Sequence, residues 1–529
     1  MAMFRRRKGD RSEFLVRIVE RIRSLLGSPR LQVVLNVHNL LVLSAMALAV
    51  AIRFKALTFQ SFWVDELIST KVSLPEYSFS QILIPFQTGK EQHPPLYFLL
   101  LHYVFRYGGF SEFAARALSA VIGSLGVLAI YFLGRELSGK ACGLIAAWIL
   151  TLNAYHLYYS QEVRPYGLLF LFSALSFALL ARGLKRRRIR DFALYTLASI
   201  LMINTHYYGL TAMVAQAVFV ATYLAFHKSR KEIIRPAIGF GTAWIVVFAS
   251  CIPWFPAIFK NAERKSFWIT SVPDTFFVDY FKDFFGNNAY LISLACAMLL
   301  LTIFSLTTKR IDDEPASPAE EKFLKEPHAG LLLLFLWIFI CLFLPYYRSV
   351  TQIPMITSRY AIVILPAVIM LVSIGVLELK DNALRLMVCA SFVFVSYLNV
   401  FHEKDYFIKQ HKEQFRQATE FVATINKEKF SKQEYPVFST GYKYFNLYSR
   451  MLGSSLRVQK LESEAFEQAL KTESPSTSGV CILEGHVKPP RKAITAIESA
   501  NFKPVITREF VGASATFYVK PENQPLLNK

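Results

Sequence analysis

Up to about residue 401 this 529-residue sequence has few charged residues outside the segments that separate its long apolar stretches. Apolar residues make up 53% of the chain and charged residues only 18%, which excludes an ordinary water-soluble enzyme for most of its length. Cysteine is scarce as well. Cys142, Cys251, Cys296, Cys341 and Cys389 fall in apolar segments, and Cys481 is alone in the polar tail, so the tail holds no internal disulfide. No Cys/His spacing resembles a zinc site, and no Gly-rich phosphate loop is present. No basic face is interleaved with aromatics on a polar domain. The formal charge of +21 therefore does not point to nucleic acid. No internal repeat is visible, which weighs against an inverted-repeat transporter. A cleavable signal peptide is also lacking, because a basic amphipathic stretch over residues 5–30 precedes any long apolar run. Residues 1–35 read as a cytoplasmic segment lying on the membrane surface.

What is present is a series of apolar runs separated by short basic clusters. A spanning helix needs about 20 mostly apolar residues. Eleven stretches qualify: 36–54, 112–134, 141–159, 166–183, 192–208, 209–226, 237–257, 288–307, 330–347, 359–377 and 384–401. With the N-terminus inside, the clusters KRRRIR (185–190), KSRKEIIR (228–235), Lys309–Arg310 and 380–385 all come out cytoplasmic, as the positive-inside rule requires. The same parity puts the tail outside. HPPLYFLLLHYVFRY (93–107) is apolar but short, and counting it as a span would reverse every later loop. It reads as an interfacial helix in a long first external loop. Pro94 and Pro95 suit its first turn.

The expected architecture is a polytopic α-helical membrane protein of about eleven transmembrane helices followed by an extracytoplasmic α/β domain. The boundaries are 1–35, 36–401 and 402–529. In the tail, helices are expected over 414–427 and near 462–471, with strands near 435–439, 479–483 and 515–519.

Acidic residues at a membrane surface draw notice, because burying a charge there is costly. Asp65 and Glu66 follow the first span in SFWVDELIS, and Glu162 lies in YYSQEVRPY between the third and fourth spans. The topology puts both motifs on the external face. Carboxylates from two loops could share a site, one taking a proton from an acceptor hydroxyl and the other orienting it or holding a divalent metal. The plainer reading is solvated loop acids, or carboxylates paired with Arg164. Lys90, His93, Arg164, His206, Arg348 and Arg359 occupy the same layer, and a leaving phosphate needs such partners. Each taken singly has a plain alternative, as a headgroup contact or a helix-end histidine. Arg116, inside the second span, requires a partner or a cavity.

In order and spacing, WVDE, HPPLYFLLLH, SEFAARALSAVIG and YYSQEVRPYGLLF resemble the GT-C glycosyltransferases. The likeness is to the protein O-mannosyltransferase and lipid A aminoarabinose transferase superfamily, in its broad bacterial branch. NTHYYG and TSRYAIVILP stand where that branch has them. The resemblance covers about residues 36–400 and only loosely the tail.

It implies a GT-C fold and an inverting transfer from a polyprenyl-phosphate-linked sugar to an envelope acceptor: lipid A, a glycan, a glycolipid or a protein hydroxyl. The setting implied is the extracytoplasmic face of a bacterial inner membrane. Asp65 would be the catalytic base, with Glu66 and Glu162 as the further acids. Glu162 stands where the family often has aspartate. His93, Arg116, Arg164, His206, Arg359 and Tyr360 form the candidate set for the donor phosphate. His93 departs from the lysine that the aminoarabinose branch has before Pro-Pro. No cofactor is implied with certainty; Asp65 and Glu162 are the candidates if a metal takes part. The alternatives are a lipid or sugar transporter or flippase, and a non-catalytic assembly subunit of the same fold. No catalysis is expected in the tail.

Overall fold

The computed structural model describes residues 36–227, 230–263, 269–308, 327–428, 435–471 and 479–521. The basic segment 1–35 and the pair Lys309–Arg310, expected to be cytoplasmic, lie outside these. Among the described residues eight helices are long and apolar enough to span a membrane, from Val37–Phe54 to Asn382–Glu403. The protein is a multi-pass membrane protein. A helix stands at each of the eleven expected positions, and the three outside the eight depart from a simple span in distinct ways. The third is a pair, Lys140–Thr151 and Ala154–Ser160, bent by 69°. The fifth, Ile189–Ile203, has 15 residues, and the tenth, Leu365–Glu378, has 14 and follows a 3-10 turn over Ser358–Val363.

The bend in the third span frees backbone carbonyls inside the protein, where an unpaired one is costly. Arg53, at the end of the first span and fully buried, answers them. It donates to Leu150 O at 3.2 Å and Thr151 O at 3.1 Å, and meets Nδ1 of His156 at 3.0 Å. Asn153 caps the second half of the pair by accepting from His156 N at 2.8 Å. Close helix crossings need small residues. A Cβ on Gly134 would stand 2.5 Å from the Cα of Gly143, so Glu112–Ser138 and Lys140–Thr151 cross with backbones nearly touching.

Between the first and second spans the chain forms three short helices, Val64–Val72, Phe79–Gln87 and Leu96–Gly108. The last is the HPP segment. Its 13 residues would extend about 20 Å, short of the ~30 Å hydrocarbon core. It buries Tyr97, Phe98, Leu101, His102 and Phe105 and exposes Leu100, Tyr103 and Tyr107.

After residue 402 the chain forms a five-stranded mixed sheet in the order β2-β1-β3-β5-β4, with β1 Val437–Ser439, β2 Val458–Lys460, β3 Gly479–Gly485, β4 Lys503–Phe510 and β5 Ala513–Val519. β1 runs parallel to β2 and β3, whereas β5 is antiparallel to β3 and β4. The expected helices and strands are present. The helices Tyr442–Met451 and Arg491–Ser499 and the strands β2 and β4 are additional. β4 escaped notice because its burial follows no clean alternation. Cys481 is buried in β3, at the centre of the sheet.

Candidate active site

Asp65 and Glu66 open the helix Val64–Val72, where the exposed N–H groups favour negative charge. As neighbours on a helix they diverge. Glu66 points inward and is fully buried. Its Oε1 accepts from Val163 N at 2.9 Å and from Arg116 Nε at 3.2 Å. Its Oε2 accepts from Arg116 Nη2 at 2.8 Å and pairs with Lys412 Nζ at 3.0 Å. Burial raises the Glu66 pKa, but the Arg116 and Lys412 charges outweigh it and hold the carboxyl well below the usual carboxylate range. Glu66 therefore binds the loop after the first span to the loop after the third through the backbone of Val163.

Arg116 has no donor left for a ligand. Besides Glu66 it serves the carbonyls of Leu57 at 2.8 Å, Gln60 at 2.5 Å and Ser61 at 3.0 Å. Its place in the expected phosphate-binding set is corrected on that ground: it holds the loop that carries Asp65.

Asp65 points the other way, into a cavity of about 380 Å³ that it shares with Trp63, Lys90, Glu91, His93, Arg164, Arg359, Tyr360 and His486. Arg359 Nη1 meets Asp65 Oδ2 at 2.6 Å, with both side chains partly open to the cavity. The Arg359 guanidinium also lies over the Trp63 ring, 5.7 Å from its centre. On its other edge the indole Nε1 donates to Glu162 Oε1 at 2.8 Å. Asp65 and Glu162 are thus linked through Arg359 and Trp63.

Glu162 is buried behind Trp63 and does not line the cavity, contrary to a site in which both acids face the substrate. Its Oε2 has no hydrogen-bond partner among the described residues. Burial pushes its carboxyl up to about 7, with the Lys412 charge opposing and that of Glu66 adding. Burial likewise lowers the Lys412 ammonium, against the pull of Glu66.

His93 sits between two partners. Its Nδ1 contacts Glu91 Oε1 at 2.8 Å, and Arg164 Nη2 stands 3.5 Å from its ring nitrogens. Burial and the Arg164 charge depress the imidazole despite Glu91. Arg164 Nη1 donates to Ser69 Oγ at 3.2 Å, while Arg164 Nε has no hydrogen-bond partner among the described residues. His206 packs edge-on against His93 with ring centres 4.9 Å apart, and 5.1 Å from Tyr360. Its imidazole is well below its ordinary value through burial and then the nearby cations. A second cavity of about 100 Å³ continues past these rings, lined by His93, His206, Tyr208, Asn261, Arg348, Met355 and Tyr360.

Of the nine expected site residues, the structure gathers Asp65, His93, Arg164, His206, Arg359 and Tyr360 around joined cavities and places Glu66, Glu162 and Arg116 beneath them. Among the described residues no three His, Cys, Asp or Glu side chains stand close enough to hold a metal ion. Asp65 faces Arg359 and Glu162 faces Trp63, so the two acids do not converge on one point.

Sequence reasoning missed Trp63, Glu91, Lys412, Glu413 and His486. Trp63 and Glu91 stood inside or beside quoted motifs. Lys412, Glu413 and His486 lie in the polar tail with no local signal, and only folding brings them to the first loop.

The chain has the fold of the GT-C superfamily glycosyltransferases, as its motifs implied. Residues 92–256 match the family model described as dolichyl-phosphate-mannose-protein mannosyltransferase. ArnT from Cupriavidus metallidurans bound to undecaprenyl phosphate superposes with a TM-score of 0.57 at 12% identity, over 90% of this chain and 97% of that one. The Archaeoglobus fulgidus oligosaccharyltransferase in complex with zinc and sulfate gives 0.52 at 12% identity, over 84% and 67%. In complex with an inhibitory peptide and a dolichol-phosphate, the oligosaccharyltransferase AglB from the same organism gives 0.50 at 12%, over 92% and 74%. No curated protein matches in sequence.

Proposed function

We propose that this chain is an inverting glycosyltransferase that takes a sugar from a polyprenyl-phosphate-linked donor and transfers it to an envelope acceptor. The observation that carries this reading is Asp65 in one cavity with Arg164, Arg359, Lys90 and His93, a carboxylate facing a group of nitrogen donors, while the cavity's other acid, Glu91, is paired with His93. The acceptor is a lipid, glycan or protein hydroxyl. The site and the region 402–529 lie on the extracytoplasmic face of the bacterial inner membrane, with 36–401 as the transferase domain.

In this reading a single displacement occurs at the anomeric carbon. The acceptor hydroxyl oxygen forms the new bond while its proton passes to Asp65. The bond from the anomeric carbon to the phosphate oxygen breaks, and polyprenyl phosphate leaves with that electron pair. Arg359, Arg164 and His93 receive the developing charge, with Tyr360 and His206 shaping the wall. Arg359 links the two halves of the step. It is paired with Asp65 in this structure. An arriving phosphate competes for it, and the carboxylate is released as the donor seats. Glu66 and Arg116 fix the loop geometry, and Glu162 supports Trp63.

The test is transfer of radiolabelled sugar from polyprenyl-phosphate donors in membranes with and without the chain. A labelled product that requires the chain supports the reading. Donor that crosses the membrane with its glycosyl–phosphate bond intact would instead identify a flippase.

A further inference from the structure

The region after residue 402 does more than cover the site. The turn that follows β3 brings His486 into the wall of the Asp65 cavity. Its backbone has φ of +62°, a conformation that non-glycine residues adopt at a cost and that recurs at functional sites. The surroundings hold it there. His486 N donates to Gly512 O at 3.3 Å, and its Nδ1 contacts Glu413 Oε1 at 2.7 Å. The other oxygen of Glu413 accepts from Val64 N at 3.1 Å, one residue before Asp65. A Cβ on Gly512 would stand 2.7 Å from Glu413 Cγ, so the hairpin turn presses Glu413 into place. One carboxylate thereby fixes an imidazole from the tail and the backbone beside Asp65.

The direction of approach separates the two substrates. A polyprenyl tail stays in the hydrocarbon, so the donor enters from the spans, past Tyr360 and the second cavity with Met355. Inversion requires the acceptor to come from the opposite side of the anomeric carbon. The tail reaches the Asp65 side, through Glu413 on Val64 N and His486 in the cavity wall. We propose that His486 is an acceptor-binding residue, delivered to the cavity by the C-terminal region and oriented by Glu413. This rests on the transferase reading above. The imidazole offers its other nitrogen to a hydroxyl or an anionic group beside the attacking hydroxyl, which fits a glycan or a phosphorylated glycolipid.

His486→Gly and His486→Asn test this in the full-length chain, because both residues tolerate the left-handed backbone while removing the imidazole. Labelled polyprenyl-phosphate sugar is the donor, and envelope extract from a strain lacking the gene supplies the acceptor. The extract concentration giving half-maximal transfer should rise about tenfold in both variants, the size of one lost hydrogen bond to a polar ligand. Binding of undecaprenyl phosphate, followed by quenching of tryptophan fluorescence, should stay within about twofold, which also reports that the variants are folded. Unchanged dependence on extract in both variants would overturn the inference. So would a parallel loss of carrier binding, which would make His486 a structural residue. No product from the unaltered chain would overturn the transferase reading itself.

Discussion

Lys412 Nζ lies 3.0 Å from Glu66 Oε2 in a site closed to solvent, and this pair joins the polar tail to the loop that carries Asp65. Two further contacts reinforce the junction: Arg416 pairs with Glu112, and Tyr448 donates to Glu112 at 2.6 Å. Arg116 still neutralises Glu66 when Lys412 is removed, so Lys412→Met should lower stability by less than about 3 kcal/mol, the loss typical of an orphaned buried charge. The losses in Lys412→Met and Glu66→Gln should be less than additive in the double variant. Additive losses in the double variant would show that the two residues are not coupled.

Asp65→Asn retains the side-chain shape and removes the basicity. Turnover should fall about 10²–10⁴-fold, the usual worth of general-base assistance. Undecaprenyl-phosphate binding should be retained, because other groups hold the phosphate. Near-normal turnover in purified Asp65→Asn would rule Asp65 out as the base.

Arg359→Ala should show the opposite bias. Losing a charge-assisted bond to phosphate weakens carrier binding about 10- to 100-fold. His93→Ala should act in the same direction but less strongly, since burial and Arg164 depress its charge. Titration of the carrier against the three purified proteins measures this. Equal affinity in all of them would remove both residues from the donor site.

Glu162 supplies a pH dependence. Its folded carboxyl ionises at about 7, above the value in an unfolded chain. Between those two values the unfolded chain has released the proton while the folded chain retains it. Stability contributed by this residue therefore falls as pH rises through the window and levels off above about 7. The difference between wild type and Glu162→Gln in unfolding free energy, followed from about pH 4.5 to about pH 8, should slope accordingly, with a span on the order of 3 kcal/mol. A flat difference would mean that Glu162 is ionised throughout. In Lys412→Met the slope should extend to higher pH, because the opposing cation is gone.

Orientation is checked by labelling. Lys503→Cys, exposed on β4, should react with an impermeant maleimide added to intact cells. Arg190→Cys, in the first turn of the helix Ile189–Ile203, should react only after permeabilisation. The reverse pattern would invert the topology.

By itself the sequence determined the membrane architecture, because apolar length and basic loops are local properties set by the thickness and charge asymmetry of a bilayer. It also singled out the motifs that line the cavities: WVDE, HPP, QEVRPY and TSRY contribute every expected cavity residue except His206, which NTHYYG supplies. Pattern alone could not separate Asp65 from Glu66. They are adjacent in the chain, and packing turned one to the cavity and sealed the other beneath Arg116 and Lys412. Nor could it show that the guanidinium of Arg116 is used up by three carbonyls and a carboxylate. Lys412, Glu413 and His486 were illegible for the same reason. Long-range ion pairs and hydrogen bonds leave no periodicity in the chain, and only the docking of the tail on the loop after the first span brought these residues to the candidate site.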